Sequence, residues 1–132
     1  KKEKRKIEKV IKTLRARKIW VSLFIDPDQD TIDVAKDIFA DAVELHTGNY
    51  ANAKNPSKAK RELERLTEAA SYACRLGLNV YAGHGLNYEN IFPLLAIPEI
   101  LEFNIGHSIV SRAVFVGLAK AVQEMKKIVN GG

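Results

Sequence analysis

Leu78-Asn79-Val80-Tyr81-Ala82-Gly83-His84-Gly85 is a short apolar run that stops abruptly in a Gly–His–Gly cluster. Two more runs end alike: Val43-Glu44-Leu45-His46-Thr47-Gly48 and Leu101-Glu102-Phe103-Asn104-Ile105-Gly106-His107-Ser108. Runs of this length and composition read as buried strands, and a terminal glycine lets the backbone turn tightly or approach a ligand closely. Polar, titratable residues at the carboxyl ends of successive parallel strands are the pattern of an α/β active site. Helices between the runs place all three histidines on one rim.

Outward from these runs the order is helix, strand, repeated through four strands to a closing helix. Ile7, Val10, Ile11 and Leu14 recur at helical spacing, predicting an amphipathic helix over 3–17 with a basic outer face. Trp20–Ile25 is the first strand, and Asp26-Pro27-Asp28 is turn chemistry; Asp30 or Thr31 is positioned to cap the helix carrying Ile32, Ala35, Ile38 and Phe39. Residues 42–46 form the second strand, followed by a polar loop from Gly48 to Pro56. Ser57 is the expected cap of a helix with an apolar face of Leu63, Leu66, Ala70, Ala73 and Cys74, and Gly77 ends it. Residues 78–82 are the third strand. Residues 86–95 are a loop and a short helix interrupted by Pro93, and 100–105 are the fourth strand. A long helical stretch from Ser108 to Val129 is broken at Gly117. Strands alternating with helices predict a parallel sheet. Four such units suit either a small doubly wound sheet or half of a (β/α)8 barrel, which needs about 250 residues. With no linker or composition shift, residues 1–132 read as a single domain.

The chain has 132 residues, 46% of them hydrophobic and 28% charged, a globular balance. No apolar run approaches the ~20 residues needed to span a bilayer, so no membrane role is expected. No secretory signal follows Lys1-Lys2-Glu3-Lys4-Arg5-Lys6, and one cysteine, Cys74, excludes an internal disulfide; a cytoplasmic location is expected. Lys1 stands where an initiating Met would, so the chain is expected to be part of something longer or processed. The net charge of +5 sits mostly in the first 18 residues. The helical apolar stripe makes this a solvated helix face, and nucleic acid is not an expected partner.

The candidate chemistry follows from placement. Glu44 lies between Val43 and Leu45; if those face the helices, Glu44 points into the mouth of the sheet, where desolvation raises a carboxyl pKa toward acid–base use. The alternative is a strand-end ion pair. His84, between two glycines, is uncrowded, and imidazole is the natural proton shuttle near neutral pH. Gly106-His107-Ser108 precedes a helix, where exposed N–H groups and the positive dipole end favour an anion such as phosphate. His46 is two residues from Glu44 and shares its face, yet reads equally as a loop-start hydrogen-bonding unit. The histidines lack the spacing of a zinc site, no Cys pair accompanies them, and no P-loop or dinucleotide fingerprint is present. No metal or cofactor is expected.

Four segments carry a family resemblance: Val21–Asp26, Glu44-Leu45-His46-Thr47-Gly48-Asn49-Tyr50-Ala51, Leu78–Leu86, and Asn104-Ile105-Gly106-His107-Ser108 through Ala113. In that order the chain resembles pyridoxine 5′-phosphate synthase, a family of vitamin B6 biosynthesis. The resemblance implies the C-terminal half of a TIM (β/α)8 barrel, strands five to eight, and a homo-octamer in the complete protein. It implies condensation of 1-deoxy-D-xylulose 5-phosphate with 3-amino-2-oxopropyl phosphate to pyridoxine 5′-phosphate, phosphate and water, with no cofactor. His84 corresponds to the proton donor and Glu44 to a glutamate that supports the transition state. Gly85, Gly106 and His107 correspond to contacts with the amino ketone phosphate. Further acid–base and phosphate-binding residues of the family lie on its earlier strands and have no match here. This chain alone is therefore expected to lack part of the active site, and to associate with a second copy or the missing half. The competing readings are another phosphate-handling α/β enzyme, and a non-enzymatic module that self-associates or binds nucleic acid through its basic helix.

Overall fold

The computed structural model describes residues 2–131. Its elements are α1 (Lys2–Ala16), β1 (Ser22–Ile25), α2 (Gln29–Asp37), β2 (Ala42–His46), α3 (Gly48–Ala51), α4 (Pro56–Arg75), β3 (Asn79–Gly83), α5 (Phe92–Leu95), β4 (Ile100–Asn104), α6 (His107–Val116) and α7 (Leu118–Val129). The four strands form one open sheet in the order β1-β2-β3-β4, with every neighbouring pair parallel. Right-handed crossovers between sequential neighbours put the connecting helices on one face of the sheet. That is the arrangement of part of a TIM barrel; a doubly wound sheet would reverse its strand order.

The core lies between the helices and that face. Val43 and Leu45 of β2 and Val80 and Ala82 of β3 meet Ile32 and Ala35 of α2, Leu66, Ala69, Ala70 and Ala73 of α4, and Leu94. Each fully buried Leu, Ile or Val contributes about 1.5–3 kcal/mol relative to exposure. With Val43 and Leu45 turned to the helices, the alternate residues Glu44 and His46 face away from them.

Several helix ends differ from expectation, for one reason. An N-cap needs extended backbone and an oxygen that reaches the N–H three residues on. Asp28 has that backbone and caps α2 by accepting from Thr31 N at 2.9 Å, in place of Asp30 or Thr31. Asn55 caps α4 by accepting from Lys58 N at 2.9 Å, in place of Ser57, which lies inside the helix. Pro93 sits in the first turn of α5 and opens that helix where an interruption was expected. The loop after β2 contains the single turn α3. Gly77, at φ +74°, ends α4 as expected, and Gly117, at φ +82°, separates α6 from α7.

Helix α1 uses only part of its apolar stripe. Ile11 is buried with Val21 and Ile38, and Leu14 packs beside them, but Ile7 and Val10 are exposed. The helix is seated on the Val21–Ile38 corner, with Leu23 beside it.

Candidate active site

The carboxyl ends of four parallel strands share one edge, and the three histidines stand there. His46 ends β2, His84 follows β3 directly, and His107 is the first residue of α6. Two of them touch. The imidazoles of His46 and His84 are 4.7 Å apart between centroids, and Phe24 of β1 lies edge-on to His46 at 5.1 Å and 6.3 Å from His84. Asp26 places a carboxylate oxygen 3.4 Å from His46 Nδ1. Gly48 forms the floor of this cluster: a Cβ there would fall 2.7 Å from His46 Nε2 and 3.2 Å from His84 Cδ2.

Glu44 reaches across the sheet. Its carboxylate passes over Gly83 of β3 and accepts a 2.8 Å hydrogen bond from Asn104 Nδ2 of β4. A Cβ on Gly83 would collide with Glu44 Oε1, so this glycine makes room for the glutamate. Asn104 faces Glu44 because of a register shift between β3 and β4. Val80 pairs with Ile100, but the next residue, Tyr81, pairs with Glu102. Leu101 is skipped and stays exposed. Slipping one residue turns all later side chains to the other face. Hence Glu102 and Asn104 join Tyr81 on the face of Glu44, while Phe103 turns to the core.

Burial pushes the Glu44 carboxyl above the ordinary carboxylate range. The nearby Glu102 charge adds to the rise, and the bond from Asn104 partly opposes it. The glutamate thus holds a proton to higher pH than a solvated one, as a group that alternates between acid and base requires.

The loop after β3 is held from several sides. His84 has φ +81° and Gly85 φ +80°. The first of these is costly for a residue with a Cβ, of order 1–2 kcal/mol. Thr47 Oγ1 bonds the carbonyl oxygens of Gly83 at 2.8 Å and His84 at 2.6 Å. Asn90 Nδ2 donates to Gly85 O at 3.1 Å, and Ser108 Oγ donates to Leu86 O at 2.9 Å. The last bond ties the start of α6 to this loop and so draws the Gly106 turn toward the Gly85 turn. Gly85 has little choice of residue: a Cβ would sit 2.8 Å from that of Ala51 in α3. Gly106 differs, with nothing within 4 Å of its Cβ position, and as the N-cap of α6 it is joined by no side-chain cap. The first-turn N–H groups of a helix have no intrahelical acceptors. His107 beside them is exposed.

Of the residues singled out from sequence, Glu44, His84, Gly85, Gly106 and His107 all lie on this edge. His46, which sequence left between chemistry and loop bonding, is packed against His84. Sequence patterning marks none of Thr47, Asn104 and Phe24 as site residues, and it marks Asp26 as turn chemistry. Among the described residues, no group of three His, Cys, Asp or Glu side chains is arranged to hold a metal ion, and no helix is long and apolar enough to cross a membrane.

A parallel α/β sheet with a half-buried carboxyl, paired imidazoles and an open helix start along its carboxyl-terminal edge is the arrangement of α/β proteins that bind ligands at their strand ends. Residues 1–131 match the family described as Pyridoxal phosphate biosynthesis protein PdxJ, and the chain belongs to that family. It is 53% identical over 119 residues to pyridoxine 5′-phosphate synthase of Sulfurihydrogenibium sp., covering 90% of this chain and 49% of that protein. It is 51% identical over 125 residues to the protein of the same name from Coxiella burnetii, covering 95% and 52%. The corresponding protein of Chlorobium phaeobacteroides is 50% identical over 123 residues, covering 93% and 52%. The chain spans about half the length of these curated relatives.

Proposed function

We propose that this chain forms part of a pyridoxine 5′-phosphate synthase, which condenses 1-deoxy-D-xylulose 5-phosphate with 3-amino-2-oxopropyl phosphate and releases pyridoxine 5′-phosphate, phosphate and water. In this reading residues 1–132 are one half-barrel domain that supplies strands five to eight of a (β/α)8 barrel. The observation that carries it is the strand-end edge. It holds an exposed imidazole at His84, a carboxyl with raised pKa at Glu44, and an open helix N-terminus at Gly106.

The roles are those that the family resemblance implies, and the geometry supports them. Imine formation, phosphate loss and ring closure each move protons, and His84 is the group placed to donate them. Glu44 stabilises charge that develops beside it, and the bond from Asn104 keeps its carboxylate over β3. The N–H groups that follow Gly106, with His107, hold the phosphate of the amino ketone. Gly85, in the loop after β3, is the further phosphate contact that the resemblance implies. The remaining acid–base and phosphate-binding groups come from the other half of the barrel.

His84→Asn in the complete enzyme tests the reading. Asparagine tolerates the left-handed backbone better than most residues but cannot shuttle a proton near neutral pH. Turnover is expected to fall by about 10²–10⁴-fold, with substrate binding largely kept. Near-normal turnover in this variant overturns the assignment.

A further inference from the structure

Thr47 occupies the N-cap of α3, where a threonine hydroxyl ordinarily accepts from the first N–H groups of its own helix. It makes no such bond. Its side chain is buried and its hydroxyl is turned to the neighbouring loop, bonding the carbonyls of both Gly83 and His84. Its backbone N–H also donates to Gly83 O at 2.9 Å. A hydroxyl has a single proton, which the two carbonyls must share. The peptide so gripped is the one that carries His84 through its unfavourable left-handed turn.

We propose that Thr47 is a positioning residue for His84: its hydroxyl fixes the two carbonyls that set the turn, and so holds the imidazole against His46 on the rim. The consequence for catalysis rests on reading His84 as the proton donor. Its structural part does not. Without the hydroxyl, the His84 carbonyl loses its side-chain partner, the buried Gly83 carbonyl keeps only the Thr47 backbone N–H, and the turn relaxes toward a conformation easier for a residue with a Cβ. The imidazole then leaves its neighbour. A displacement of about 1 Å at a catalytic group costs on the order of 10²-fold in rate.

The test compares Thr47→Val, which keeps the shape and loses the hydroxyl, with Thr47→Ser, which keeps the hydroxyl, in the intact protein. Two readouts are taken: steady-state kinetics, and nuclear Overhauser contact between the ring protons of His46 and His84, whose centroids are 4.7 Å apart. Thr47→Val is expected to lose the ring contact and about 10²-fold in kcat, with KM for either substrate nearly unchanged. Thr47→Ser is expected to keep both. If Thr47→Val retains the ring contact and kcat, the proposal is wrong. If Ser fails as badly as Val, packing of the methyl group is what matters, and the proposal is equally wrong. Should Val not fold, Thr47→Ala takes its place, since Ala and Ser differ only by the oxygen. If the wild-type protein itself forms no pyridoxine 5′-phosphate, the functional reading fails, while the ring contact still decides whether Thr47 positions His84.

Discussion

Gly83→Ala should be a disruptive substitution for a reason specific to this site. The backbone of Gly83 lies outside the left-handed region, so alanine is permitted there on conformational grounds. On its own, such a change reduces the freedom of the unfolded chain and stabilises by about 0.4–1 kcal/mol. Against this, the new methyl collides with Glu44 Oε1 and comes within 3.1 Å of Asn104 Cβ. Glu44 must swing away and give up its 2.8 Å bond from Asn104. Overpacking costs about 1–3 kcal/mol, and the lost bond, half-open to solvent, adds toward the lower end of the ~1.5–3 kcal/mol for bonds to charged groups. The expected net loss is about 1.5–4 kcal/mol after the entropic gain. The same substitution in a Glu44→Ala background meets only Asn104 Cβ and should be close to neutral, leaving a coupling energy about as large as the single-variant cost, about 1.5–4 kcal/mol. Urea unfolding followed by far-ultraviolet circular dichroism of the four proteins closes the cycle. Equal costs in both backgrounds, within about 0.5 kcal/mol, would refute the placement of the glutamate over Gly83.

Glu44 is held protonated to higher pH in the fold than in the unfolded chain, so its contribution to stability is full below the unfolded pKa and is lost as pH rises through the folded one. Glu44→Gln has no such dependence and still accepts from Asn104; relative to wild type it should gain stability as pH rises above the ordinary carboxyl value of 4.5, and an unchanged difference in urea unfolding would contradict the raised pKa. Gly106→Ala meets no neighbour and should fold normally, yet with His107→Ala it should raise KM for 3-amino-2-oxopropyl phosphate more than it lowers kcat; a loss confined to kcat would remove the anion role. The edges of β1 and β4 and the sheet face bearing Phe24, which is 55% exposed, should drive this chain to associate with another copy or with the rest of the barrel. A folded monomer at high concentration in light scattering would count against that.

Much of this arrangement is legible in the sequence because strands and their ends are local events. Short apolar runs closed by Gly–His clusters locate β2, β3 and β4, and a period of two puts Glu44 and His46 on one side of β2. Gly77 and Gly117 announce helix ends because each requires a backbone that other residues resist. What could not be read is what depends on a neighbour. The caps at Asp28 and Asn55 are chosen by extended backbone, and Asp30, Thr31 and Ser57 were equally suitable by residue type. Asn104 reaches Glu44 only because β4 skips Leu101, and simple alternation from Ile100 would have turned it to the helices. Thr47 resembles a helix cap in sequence, and only the loop after β3 reveals what its hydroxyl holds.

The rim glycines sharpen this point. In a sequence, a glycine beside a candidate catalytic residue suggests space left for a ligand. Here three of the four are filled by the protein itself: Gly48 by the imidazoles, Gly83 by the Glu44 carboxylate, and Gly85 by Ala51. These glycines let side chains of the rim pack closely and fix where those chains sit. Gly106 alone opens onto space, and it does so at the start of a ten-residue helix whose first N–H groups are available to an anion. The two halves of the proposed chemistry are therefore built by opposite uses of the same residue. In the proposed reaction, glycine admits a protein side chain beside the groups that move protons, and at Gly106 it leaves room for a phosphate to approach the backbone.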